Sequence, residues 1–91
     1  MFGHNNNFSD EDKKLFVWCK GTPIQGFDPS HYRLDSYGKI MQWDKHGDRN
    51  HSYGWEMDHI VPKSFGSVDH VNNLRPLNWL NNVQRKNNLF S

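Results

Sequence analysis

The chain has 91 residues, with 11 Lys and Arg against 10 Asp and Glu for a formal charge of +1, and only 34% of it is hydrophobic. That length allows one domain with a modest core. The single cysteine, Cys19, excludes an internal disulfide and removes four-thiolate and paired CxxC zinc sites. Near-neutral charge does not announce a nucleic-acid binder. No window is apolar enough to span a bilayer or serve as a secretory signal, so the chain reads as soluble and intracellular, in the cytoplasm or a host nucleus.

A small polar chain without disulfides needs another source of cohesion, and 4 Trp, 3 Tyr and 6 Phe are the packing resource available. The Asn5 to Asn7 run reads as a frayed terminus. Ser9 before Asp10, Glu11 and Asp12 predicts a helix start, a side-chain cap followed by acids at the positive end of the dipole. Leu15, Phe16, Trp18 and Cys19 are its expected buried stripe, and Gly21 with Pro23 its stop. Residues 22–31 read as a loop. "YRLDSYGKIMQW", residues 32–43, predicts two short strands joined around Ser36 to Gly38, where glycine supplies a positive φ. "DKHGDRNHSYG" follows as a polar loop. Its His46, Asp48 and His51 resemble an ordinary turn more than a zinc site.

The second half carries the chemistry. Trp55, Met57, His59 and Val61 alternate with Glu56, Asp58 and Ile60, which predicts a strand ending at Pro62. A polar excursion through Gly66 leads to "NLRPL", residues 73–77, extended because Pro76 disfavours a helical Arg75. Asn78 is placed to cap a helix from about Trp79 to Asn88, with Leu80 and Val83 on its core side. Asn82, Arg85 and Lys86 stand at i, i+3 and i+4 and share a face. Residues 1–55 balance seven basic against seven acidic, whereas Lys63, Arg75, Arg85 and Lys86 slightly outweigh Glu56, Asp58 and Asp69 beyond them.

The stretches "DHIVP" (58–62), "FG" (65–66), "NNLRPL" (72–77) and "NVQRK" (82–86) together resemble the ββα-metal core of HNH endonucleases. The resemblance covers about residues 54–88. It implies an α+β fold: one domain over residues 1–91 with a ββα-metal core of two short antiparallel strands and a helix, preceded by an N-terminal helix and hairpin over about residues 9–45.

The resemblance also implies roles. His59 matches the general base that takes a proton from the attacking water. Asp58 matches one metal ligand, and Asn82 a second, at a position filled by His or Asn. Asn73 matches the middle Asn of the motif, which steadies the loop and helps orient the histidine. Arg85 stands where a lysine is common, with Lys86 beside it, and these two, with Lys63 and Arg75, are the candidate phosphate contacts on DNA. The residue types suit the chemistry. Histidine is the side chain that can be neutral and basic at cellular pH. Two oxygen ligands favour one divalent cation, Mg²⁺ or Mn²⁺, over zinc.

Three positions depart from the family pattern. Many relatives carry thiolates of a structural zinc site where this chain has Asn78 and Asn81, so no structural zinc is expected. Ser67 follows Gly66 where a second glycine is common, and Arg85 replaces lysine. Asp58 and His59, neighbours on a strand, should also point to opposite faces.

Plainer readings stand beside each role. Asp58 with His59 could be a hydrogen-bonded pair at a strand end. Asn73 and Asn82 could be turn and helix-surface residues, Arg85 and Lys86 a solvated face, and Arg75 a partner for a nearby carboxylate. His70 reads as a surface histidine, Cys19 as a small core residue, and Trp43, Trp55 and Trp79 as core before base-stacking platform. The expected function is a metal-dependent endonuclease acting on DNA, as a nicking monomer or a homodimer. The alternatives are a non-catalytic DNA-binding module and a partner-dependent nuclease subunit.

Overall fold

Ser9 sets the start of the first helix, α1 (Asp10–Trp18): its hydroxyl accepts from the Asp12 N–H at 3.1 Å, and three acids occupy the first turn. The structure is a computed structural model that describes residues 8–62, 65–66 and 70–88. The terminal Asn5 to Asn7 run, Lys63, Ser67 and Asp69 lie outside the described residues.

The buried side of α1 differs from the expected stripe. Val17 and Trp18 are buried at 0% and 1%, whereas Leu15, Phe16 and Cys19 are exposed. At about 100° per residue, positions 14, 17 and 18 share one arc and 15, 16 and 19 the opposite one. Trp18 claims the core, and Lys14 lies along the same side with its ammonium 3.9 Å from the centre of the Trp43 ring.

The region expected as loop from residue 22 opens with a short strand, β1 (Thr22–Pro23). It pairs antiparallel with β2 (Tyr32–Leu34), which pairs with β3 (Ile40–Gln42) in the order β1-β2-β3. Leu34 stands opposite Ile40, and Gly38 turns the hairpin at φ +87°, as its sequence predicts. β1 escaped notice because Thr22-Pro23 has no periodicity, and its pairing depends on Leu34 and Arg33 across the sheet.

The second sheet has two antiparallel strands, β4 (Trp55–His59) and β5 (Leu74–Asn78). Helix α2 (Trp79–Asn88) follows β5 directly. The Asn78 carbonyl oxygen Oδ1 accepts from the Leu80 N–H at 3.0 Å, so the residue ending the strand also caps the helix. Among the described residues the fold is therefore α+β, two α-helices with sheets of three and two strands.

Alternation along β4 divides its faces. Trp55 and Met57 join a core with Trp18, Met41 and Trp43, where Trp18 lies 5.0 Å from Trp55 and 5.6 Å from Trp43 between ring centroids. Three of the four indoles donate to a carbonyl: Trp18 to that of Pro29, Trp55 to that of Trp43, Trp79 to that of His51. The other face of β4 presents Glu56 and Asp58 to α2. That explains a second difference from expectation, since Leu80 on α2 is 43% exposed and the residue buried against β4 is Asn82, at 1%. A helix docked on two carboxylates turns its amide and guanidinium side chains inward.

The two sheets are tied by a polar knot. Asp35, 3% exposed in the β2–β3 turn, accepts at Oδ1 from the Tyr37 and Lys39 N–H groups and at Oδ2 from the Asn78 N–H and the Asn81 amide. Asn78 Nδ2 donates in addition to the Ile40 and Ser52 carbonyls at 2.9 and 2.8 Å. Asn78 and Asn81 thus fasten the hairpin to the β5–α2 junction through hydrogen bonds.

Candidate functional site

The site is built where β4, β5 and α2 meet. Register places Asp58 opposite Arg75, so both side chains lie on one face of the two-stranded sheet. Arg75 Nε donates to Asp58 Oδ2 at 3.0 Å, and Arg85, from the second turn of α2, donates through Nη1 to Asp58 Oδ1 at 3.0 Å. Asp58 is 1% exposed, and two guanidinium groups on one buried carboxylate leave the cluster net positive.

The two arginines are held differently. Arg75 also donates to Ser36 Oγ and the Tyr37 hydroxyl, both at 3.2 Å, and lies over the Tyr37 ring. Burial pulls its pKa down, but the bonds to Asp58 and Tyr37 hold it above the ordinary arginine value. Arg85 uses Nη2 for the Ile60 carbonyl at 2.9 Å, so it reaches past His59 on both sides in sequence.

Asn82 lies one helical turn before Arg85 on the same face. Its Nδ2 donates to Glu56 Oε1 at 2.8 Å, while its Oδ1 is a buried acceptor with no hydrogen-bond partner among the described residues. Glu56 is held by Arg49 in a two-point pair, Nε to Oε2 at 2.6 Å and Nη2 to Oε1 at 2.8 Å. The Arg49 bond is the main reason the Glu56 carboxyl lies below its ordinary pKa, with Asn82 and Lys86 adding to it against burial.

His59 is the last residue of β4, half-buried and opposite Leu74. Pairing stays regular to that point, so alternation sets His59 and Asp58 on opposite faces. Asn73, immediately before Leu74, closes the strand end: its carbonyl accepts from the Ile60 N–H at 2.8 Å, and its side chain both accepts from the Val61 N–H at 2.9 Å and donates to the Val61 carbonyl at 3.1 Å. The chain leaving His59 is therefore clamped at two successive residues.

The structure brings Asp58, Asn82, Arg75 and Arg85 into one cluster and sets His59 and Asn73 at its adjoining strand end. Lys86 is exposed on α2. Lys63 falls outside the described residues. Glu56 and Arg49 escaped the sequence reading, although a signal existed for the first: Glu56 stands two residues before Asp58, the spacing that shares a strand face.

Three further histidines among the described residues have local partners. His70 Nδ1 accepts from the Asn72 N–H and caps the short turn Val71–Asn73, His51 Nδ1 accepts from the Tyr53 N–H, and the His46 ring lies 4.5 Å from Trp55. Among the described residues no three His, Cys, Asp or Glu side chains gather where they could hold a metal. A cation at this site would rest on one carboxylate and one amide oxygen, with water and substrate oxygens completing its shell. No described helix is long and apolar enough to cross a membrane. Comparisons with protein-family models, curated proteins and solved structures return no match to this chain.

Proposed function

We propose that the chain is a small metal-dependent endonuclease of the HNH type that hydrolyses DNA phosphodiester bonds. The observation that carries this reading is the unmatched buried oxygen of Asn82, one helical turn before the Arg85 that bonds the buried carboxylate of Asp58, on a strand–strand–helix unit. A buried acceptor left without a donor is costly and calls for an explanation. A hard divalent cation is one, because it binds oxygen donors and tolerates a shell partly filled by water.

Asp58 fits the same role. A carboxylate has about four lone-pair directions, and the two arginines use one on each oxygen. Asp58 and Asn82 would hold Mg²⁺ or Mn²⁺, which when bound supplies Lewis-acid and template chemistry to the phosphate. His59 takes the proton from the attacking water. Asn73 fixes the backbone leaving His59 and so limits where the imidazole can go. Arg85 and Lys86, with Arg75 and Lys63, supply positive charge for the phosphate backbone. By the family resemblance the products carry a 3′ hydroxyl and a 5′ phosphate. One site cuts one strand, so a monomer nicks and a homodimer is required to cut both strands in a single event.

Two observations favour a second reading, a DNA-binding module without turnover or a subunit that needs a partner chain: both oxygens of Asp58 already meet a guanidinium, and regular pairing to the end of β4 sets His59 on the face opposite Asp58, so the imidazole must turn from that face to serve the site. Supercoiled plasmid separates the two readings. An endonuclease converts it to open circle with Mg²⁺ or Mn²⁺ and stops when EDTA is added; a binder retards the plasmid on a gel and leaves it supercoiled under every condition.

A further inference from the structure

Asn82 can serve a cation only through its oxygen, yet an amide is nearly symmetric in shape. Rotation by about 180° about its last bond exchanges oxygen and nitrogen at almost no steric cost. What decides the orientation is the group on its other side. Glu56 Oε1 lies 2.8 Å from Asn82 Nδ2, and a carboxylate only accepts. The reverse orientation would set the amide oxygen against a carboxylate oxygen and aim the N–H groups at the site. Glu56 cannot turn away to accommodate it, because Arg49 grips both of its oxygens, at 2.6 and 2.8 Å.

We infer that Glu56, locked by Arg49, is a positioning residue that aims the Asn82 oxygen rather than its nitrogen at the cation site. The inference rests on the metal-dependent reading of that site. Glu56 lies on the same face of β4 as Asp58, two residues earlier, so one strand supplies both a ligand and the group that orients the other ligand. Glu56 itself keeps both oxygens engaged and acts through Asn82, as groups behind metal ligands commonly do.

The test is a double-mutant cycle of Glu56→Gln and Asn82→Asp, read by equilibrium unfolding without metal and by Mn²⁺ titration followed by electron paramagnetic resonance. A glutamine can donate or accept, so Glu56→Gln removes the orientation and costs stability. In the Asn82→Asp background two carboxylates face each other, and Glu56→Gln supplies a donor there, so the same substitution must raise stability. The double variant has the charge of the wild type and always presents an oxygen. Mn²⁺ affinity should fall about tenfold in Glu56→Gln and return to the wild-type value in the double variant. Measured at about 0.5 M salt, where simple charge effects are largely screened, the loss should persist.

Glu56→Gln lowering stability in both backgrounds, or Mn²⁺ affinity unchanged by it, overturns the positioning role while leaving the cation site standing. A wild type that binds no Mn²⁺ overturns the cation reading and this inference with it.

Discussion

Asp58 is buried to 1% yet meets two guanidinium groups, and the consequence of removing either can be stated. Breaking a buried ion pair typically costs about 3–5 kcal/mol. Here the second arginine softens the loss, so Arg85→Ala should destabilise by about 2 kcal/mol in urea unfolding. Arg75→Ala should cost more, because it also releases Ser36 and Tyr37; equal or negligible effects would argue that the carboxylate relaxes to water. Glu56 gives a pH dependence. Its pKa is depressed, chiefly by Arg49, so the unfolded chain binds a proton more readily than the folded one. That contribution to stability is present above the ordinary glutamate range and is lost as pH falls below about 4.5. Unfolding midpoints should therefore drop across that window, and Glu56→Gln should flatten the drop. Asp58 and Asn82 of this cluster, and His59 and Asn73 at its adjoining strand end, were singled out in the sequence by spacing that resembles the HNH pattern. Their partners were legible only in part: Arg75 read as a partner for a nearby carboxylate and is one, but which carboxylate was not written in the sequence. That Arg75 faces Asp58 depends on strand register, and that Arg85 joins it depends on how α2 docks.

At the scale of elements, local signals served well where a single residue determines geometry. Ser9 caps α1, Gly38 turns the β2–β3 hairpin, and Asn78 caps α2, all as their sequences predict. Faces were harder, because burial is decided by the neighbouring element. Leu15, Phe16, Trp18 and Cys19 read as the buried side of α1; Trp18 does hold the core, joined by Val17, while the other three are exposed. Leu80 and Val83 read as the core side of α2; Val83 is half-buried and Leu80 exposed, and the carboxylate face of β4 draws in Asn82. The approach to β4 depends on Gly54, where an added Cβ would lie 1.8 Å from the Asp48 carbonyl oxygen. Gly54→Ala must therefore push the 48–54 loop away from the start of β4 and the Trp79 N–H bonded to the Gly54 carbonyl. A loss of about 2–3 kcal/mol is expected by analogy with other overpacked sites; wild-type stability in urea would show that the loop can shift freely.

At the scale of the molecule, the described residues cohere through an aromatic core and the polar knot at Asp35. Asp35 joins the three-stranded sheet to the β5–α2 junction, and its removal leaves the Asn78 N–H without its acceptor and the Asn81 amide without its carboxylate. Asp35→Ala should cost about 3 kcal/mol, a fall in Tm of roughly 12–24 °C for a chain of this size. No composition rule anticipates this knot, because residues more than 40 positions apart form it. The formal charge of +1 conceals a local excess of positive charge around Asp58, and on the proposed endonuclease reading DNA cleavage should slow as salt rises. The most direct measurement compares plasmid nicking by the wild type and by a His59→Ala variant of matched stability and DNA affinity, with Mg²⁺ or Mn²⁺ present. The account predicts a loss of about 10²- to 10⁴-fold in rate, with EDTA abolishing what the wild type does; equal rates in the two proteins, or cutting that survives EDTA, would contradict it.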